Sequence, residues 1–150
     1  QADVQVTFVG DGPLRSLVEA APHCRMTGWV EAAQVMTALE QARCLVFASL
    51  WYETYGLVVT EAAARGIPAI VSTISAASER ITDGVEGWHV AAGDVAGLAA
   101  ALRKQKDDAA VRQAGAAAYS RFWNNPPTRA SHIAGLLATY ERILQPGKAA

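Results

Sequence analysis

The sequence predicts an α/β fold, a parallel sheet with helices on both faces, and three observations lead there. Strand-length apolar runs recur at 4–9, 24–27, 44–48, 68–72 and 87–91, each reading as a strand of a buried sheet. Helical segments separate them, so sequential strands are joined by crossovers and at least five strands run parallel. Hydrophobic residues make up 51% of the 150 residues and charged ones 18%, enough for one domain with a substantial core and too apolar for a disordered chain.

Each element has its own local reason. Residues 4–9 form the first strand, and Gly10-Asp11-Gly12-Pro13 turns the chain into a helix over 14–21. A Gly-x-Gly after a strand invites a dinucleotide-binding reading. It fails here, because the third glycine would fall at Arg15 and Pro13 stiffens the turn. After the strand at 24–27, Gly28-Trp29-Val30 turns into a helix over 31–42, with Val35, Leu39 and Ala42 at helical spacing. The strand at 44–48 ends in a polar, aromatic loop over 49–55. Gly56 opens a helix over 57–65, Gly66 closes it and Pro68 starts the next strand. A short helix from Ser75 ends at Asp83-Gly84, and the strand at 87–91 follows. Asp94 caps a helix running through Arg103, and 107–121 is alanine-rich helix that Phe122 to Pro127 break. A final amphipathic helix over 128–144 carries Ile133, Leu136, Leu137, Tyr140 and Leu144 on one stripe. Such a stripe either folds back on the domain or mediates self-association. The tail after Pro146 is expected to be disordered. The domain is therefore read as 1–145.

The chemistry concentrates between Ala48 and Val71. Glu53 lies before the helix and Glu61 one turn inside it, seven residues between them. The first N–H groups of a helix lack helical partners and carry a partial positive charge, which suits a phosphate. Gly56 would let that phosphate approach the backbone. Side chains lean towards the helix N-terminus, so Glu61 can point back to the same mouth. A carboxylate there accepts two hydrogen bonds from neighbouring hydroxyls, as on a ribose. The plainer reading makes both glutamates solvated surface charges; the agreement of glycine, helix start and strand end favours the functional one.

The segment ETYGLVVTEAAARGIPAIVS resembles the signature of the retaining, group 1 glycosyltransferases of the GT-B fold. VTFVGDGPLRSLVEAA, MTGWVEAAQVMTALEQARCLVFASL and ERITDGVEGWHVAAGDVAGLAAAL resemble further blocks of that family, in the family's order. The resemblance implies the C-terminal, Rossmann-like half of a GT-B enzyme, whose substrate is a nucleoside-diphosphate sugar and which needs no further cofactor and no metal. It implies that Glu61 holds the ribose and that Glu53, the catalytic candidate, holds the donor sugar. The backbone around Tyr55, Gly56, Leu57 and Val58 would receive sugar hydroxyls and phosphate oxygens. Gly28, Trp29 and Val30 would lie beside the nucleobase, with Trp29 either supplying apolar surface or packing under the next loop. Gly10 and Gly12 would make edge contact with the nucleotide or serve only as a tight turn. The family carries a glycine-rich turn before Glu79 where this sequence has Ala76 and Ala77, which puts close approach of a sugar phosphate there in doubt. The family's C-terminal half also begins with a strand–helix unit bearing an Arg and a Lys for the diphosphate, and it follows an N-terminal acceptor-binding domain. Neither precedes Gln1 in this sequence, so the chain is expected to be inactive alone. Two other readings are a different GT-B enzyme, such as a sugar-nucleotide epimerase, and a non-catalytic module binding partners through its final helix.

Other classes find little support. A net charge of −1 gives no electrostatic footprint for nucleic acid. Cys24 and Cys44 read as small core residues in a reducing compartment, and His23, His89 and His132 are scattered without metal-ligand spacing. Of four tryptophans, only Trp29 and Trp51 fall in strand-to-helix loops. No apolar run reaches the length of a membrane span. The expected location is cytoplasmic, with attachment to the inner membrane surface only through a further part of the protein.

Overall fold

A computed structural model describes residues 2–144; the expected tail at 146–150 lies outside the described residues. The order is β1 (Val6–Phe8), α1 (Arg15–Ala20), β2 (Cys24–Met26), α2 (Ala32–Glu40), β3 (Leu45–Phe47), α3 (Leu57–Ala63) and β4 (Ala69–Ser72). A 3-10 helix (Ala76–Arg80), β5 (Gly87–Val90), α4 (Val95–Lys104), α5 (Asp108–Asn124) and α6 (Arg129–Leu144) follow. All strand pairs are parallel.

The core forms around β4, whose four residues are all buried. Strand side chains alternate between faces, and β4 uses both. Ala69 and Val71 pack with Val59 of α3 and with Ala77 and Ile81 at the 3-10 helix. Ile70 points the other way and packs with Trp88 and Val90 of β5, Ala101 of α4 and Ala114 of α5. Helices thus cover both faces, as a parallel sheet requires. Leu39 of α2 joins Ala62 and Ile67 in a third cluster that seats α2 against α3. Cys44 sits in this interior, and burial pushes its thiol up to about 12, so it is no nucleophile at neutral pH.

The expected continuous sheet is divided. β1 pairs only with β2, while β3, β4 and β5 form a separate sheet. Within each sheet, strands consecutive in sequence lie side by side, so β2-β1 and β3-β4-β5 are two separate parallel runs. Residues just ahead of β1 and of β3 both reach the turn between α4 and α5. Lys106 Nζ lies 3.0 Å from Asp3 Oδ2, ahead of β1, while Arg43, ahead of β3, donates to the Gln105 carbonyl and to Asp108. With no neighbour on its second edge among the described residues, β1 is not the buried strand that the apolar run suggested. It is shorter, and Phe8 is 42% exposed. Leu14 and Leu17 beside it are exposed as well.

Two boundaries differ from expectation. α5 continues through Phe122 and Trp123 to Asn124. The Trp123 indole N–H donates to the Ala64 carbonyl at 3.1 Å, and its ring meets Phe122 edge-on at 5.0 Å. Those contacts hold the last turn, so only Pro126 and Pro127 interrupt the helix. α3 is shorter than predicted, ending at Ala63, with Gly66 at φ +71° closing the turn. The Asp94 cap holds, its carboxylate accepting from the Gly97 N–H at 2.8 Å; Glu31, expected inside α2, instead caps it in a reciprocal box with Gln34. α6 does not fold back. None of its residues is buried, and Ile133, Leu136, Leu137 and Tyr140 stand exposed.

Candidate functional site

The site residues lie on loops after the carboxyl ends of strands, the edge where open α/β sheets bind ligands. They gather in two groups. The first joins the loops after β1 and β2, where Gly10 and Gly28 form an isolated bridge. The Gly10 N–H donates to Thr27 Oγ1 at 3.2 Å, and Thr27 Oγ1 donates in turn to the Gly28 carbonyl at 2.8 Å. The Gly12 N–H donates to Asp11 Oδ1 at 2.8 Å. Both glycine N–H groups are thus engaged within the loops. Gly28 is buried at φ +74°, and a Cβ there would lie 3.4 Å from the Arg15 guanidinium. Arg15 is held by Asp11 at 2.7 Å and Glu19 at 2.9 Å. Trp29 is 85% exposed. It does not pack under the next loop, and its indole is an open apolar face. Val30 is half-buried beside it.

The second group surrounds the start of α3. The loop after β3 presents Leu50, Trp51 and Tyr52 to solvent. Its path is fixed by the Glu53 carbonyl, which accepts from the Ala76 N–H at 2.9 Å. The Tyr55 ring lies under the Arg80 guanidinium, 3.8 Å from its centroid, a favourable cation–π contact. Gly56 takes a left-handed conformation, φ +72° and ψ +56°. A Cβ on it would come within 2.8 Å of Ala77 Cβ and 3.4 Å of the Phe47 ring. Glycine is therefore dictated at 56 by the chain's own packing, before any ligand is considered. Leu57 is exposed, whereas Val58 turns into the core beside Leu45 and Phe47, so only the Val58 backbone is left for a ligand. No side chain caps the N-terminus of α3.

Glu53 is exposed and Glu61 half-buried. Among the described residues, no hydrogen bond or ion pair engages either carboxylate. Arg65, one turn beyond Glu61, donates to the Glu61 carbonyl at 3.1 Å and approaches Glu40 at 3.5 Å, leaving the Glu61 side chain without that cation. Two carboxylates with spare acceptor capacity beside an uncapped helix start can receive hydroxyl groups. No hydrogen bond or ion pair among the described residues joins this group to the Gly10–Gly28 group. Both groups follow the carboxyl ends of strands, and α2 packs against α3 through Leu39, Ala62 and Ile67. No cluster of three His, Cys, Asp or Glu side chains is placed to hold a metal among the described residues.

Some participants escape sequence reading. Arg80 and Ala77 shape the loop at Tyr55 and Gly56 from more than twenty residues away, and Arg15 reaches Gly28 across a strand. Nothing local marks them.

Comparison with characterised proteins identifies the family. The chain is 40% identical over 89 residues to a glycogen synthase of Mycobacterium tuberculosis, covering 59% of this chain and 21% of that protein. It is 32% identical over 146 residues to a phosphatidyl-myo-inositol mannosyltransferase of Mycobacterium leprae, covering 91% and 39%. The chain therefore spans well under half the length of these relatives. A glycosyltransferase structure from Rickettsia africae superposes with a TM-score of 0.76 at 19% identity, covering 97% of this chain and 41% of that one. An Anabaena protein, HepE, solved with UDP and glucose, gives 0.69 at 20% identity, covering 90% and 40%; at such identities these two speak for the fold alone. A family profile described as "Glycosyl transferases group 1" matches residues 1–108. With a match over that much of its length, the chain belongs to the group 1 glycosyltransferases.

Proposed function

We propose that this chain is the donor-binding part of a retaining glycosyltransferase, which moves a sugar from a nucleoside-diphosphate sugar to an acceptor. The observation that carries the reading is the pair of unpartnered carboxylates, Glu53 and Glu61, on either side of Gly56 and the uncapped start of α3. Glu61 accepts the ribose hydroxyls and Glu53 those of the donor sugar. N–H groups at the start of α3 meet phosphate oxygens and stabilise the negative charge of the departing diphosphate, an electrostatic contribution already in place before reaction. The exposed Trp29 offers its face to the nucleobase. No divalent metal is required in this scheme, because the backbone donors meet the charge.

The relatives are longer, and two further parts complete the reading. One is a strand–helix unit that pairs with β1 and β3, joins the two sheets and brings basic side chains to the diphosphate. The other is an acceptor-binding domain opposite the edge that bears the glutamates. Holding an acceptor in line can supply ~7–11 kcal/mol of barrier reduction, so the chain alone is inactive in transfer. No described helix is long and apolar enough to cross a membrane; we place the enzyme in the cytoplasm, with access to the inner membrane surface through its remaining parts.

The test is calorimetric titration of UDP-, GDP- and ADP-sugars into the chain and into Glu61→Ala. At least one donor binds the parent. The substitution weakens it by one to two orders of magnitude, the loss of charge-assisted hydrogen bonds worth ~1.5–3 kcal/mol each. Thermal stability is unchanged, since Glu61 has no partner to lose. Equal affinity of parent and variant, or no binding by any nucleotide sugar, refutes the assignment.

A further inference from the structure

α3 has a second flank. Glu61 and Arg65 lie on the side towards Glu40 of α2. Thr60 and Ala63 line a cavity of about 800 Å³ bounded by the 3-10 helix, the end of α5 and the start of α6. Neither Glu53 nor Glu61 lines it, and it borders the candidate site at Tyr55, whose ring lies under the Arg80 guanidinium. Its volume falls within the ~300–1,000 Å³ of ordinary small-molecule sites.

We propose that this cavity is a second binding site, for an organic anion that carries a phosphate or carboxylate on an apolar body. Arg80, Arg121, Arg129 and His132 line it. The carboxylates in the wall are Glu79 and Glu86, and Glu86 is already committed: it accepts from the Thr82 N–H at 2.7 Å and pairs with Arg121 at 3.2 Å. The lining therefore holds more cations than anions, which selects against metal ions and cationic ligands. Two polar atoms of the lining residues, Thr60 Oγ1 and Arg80 Nε, are buried without a hydrogen-bond partner. Buried donors are nearly always paired in folded proteins, and leaving one unpaired is costly. An anionic oxygen accepts from both kinds of donor, whereas an aliphatic ligand satisfies neither. Ile81, Phe122 and Pro126 add an apolar wall that inorganic phosphate alone would leave uncovered.

This site does not rest on the donor reading, and its probes contain neither nucleotide nor sugar. Phenyl phosphate, benzoate, inorganic phosphate and benzyl alcohol are titrated into the chain and followed by backbone amide shifts. Phenyl phosphate or benzoate, or both, should saturate with shifts centred on Thr60, Arg80 and His132; comparison of the two identifies the preferred head group. Inorganic phosphate should bind about tenfold more weakly than the better of these, and benzyl alcohol should not saturate. Thr60→Val keeps the side-chain shape and removes the hydroxyl; it should weaken binding about fivefold or more. Arg129→Gln, on the exposed helix α6, should weaken binding without lowering the melting temperature. The proposal is overturned if neither aromatic anion saturates, or if the shifts centre on Glu61 and Gly28 instead. It also falls if inorganic phosphate binds as tightly as the aromatic anions, or if both variants bind like the parent.

Discussion

Replacing Gly56 by alanine tests the central unit most directly, because the structure separates the cost into two parts. The first is conformational: φ is +72°, and an L-residue held in the left-handed region costs ~1–2 kcal/mol. The second is steric. The new Cβ would lie 2.8 Å from Ala77 Cβ, in a core where Ala77 is fully buried, and overpacking of this kind costs ~1–3 kcal/mol. Gly56→Ala should therefore destabilise the chain by about 2–5 kcal/mol. Ala77→Gly removes the obstructing methyl, leaving the conformational cost untouched. Alone it should cost ~1–2 kcal/mol, from lost burial and the lower helix propensity of glycine. The two changes should not add, and the double variant should be more stable than the sum predicts by ~1–3 kcal/mol. Urea unfolding of the four proteins, with slopes compared to confirm a common unfolding reaction, measures every corner of the cycle. Parent-like stability of Gly56→Ala, or additivity within ~0.5 kcal/mol, would refute the packing argument. The cycle also guards the functional reading, since a loss of nucleotide binding in Gly56→Ala means nothing until its folding has been restored.

Further predictions concern charge and the exposed helix. Burial works against the Glu86 carboxylate, but the Thr82 N–H and the Arg121 guanidinium outweigh it and hold its pKa below the usual carboxylate range. Glu86 therefore contributes stability that is present above its unfolded pKa, near 4.5, and is lost as pH falls through the lower folded value. Glu86→Gln should cost ~1–3 kcal/mol at pH 7 and flatten the acid limb of a stability–pH curve; a curve of unchanged shape would contradict this. α6 exposes Ile133, Leu136, Leu137 and Tyr140, so the chain should self-associate in sedimentation experiments and Leu136→Asp should return it to monomer. A parent that stays monomeric across its soluble range would show that the stripe needs a different partner.

How much of this was legible beforehand depended on the range of the interaction. The type and order of the elements came from local patterns: apolar runs bounded by glycine and proline, and a cap such as Asp94. The pairing of Glu53 and Glu61 around Gly56 was legible for the same reason, since the whole unit spans only nine residues of sequence. Such features are set by residues a few positions apart and survive without knowledge of the rest. The division into two sheets was not legible, because an apolar run states that a strand wants burial and not which neighbour will bury it. β1 has one paired edge and remains exposed. The extension of α5 past Phe122 depended on Trp123 reaching the Ala64 carbonyl, fifty-nine positions away. Glycine at 56 was read as room for a phosphate; the structure adds a left-handed backbone and the methyl of Ala77 as independent reasons for it. The cavity beside Thr60 likewise exists only where α3, the 3-10 helix, α5 and α6 converge. Local sequence sets each element's type and ends, whereas burial and side-chain partners depend on long-range packing, which only the tertiary structure decides.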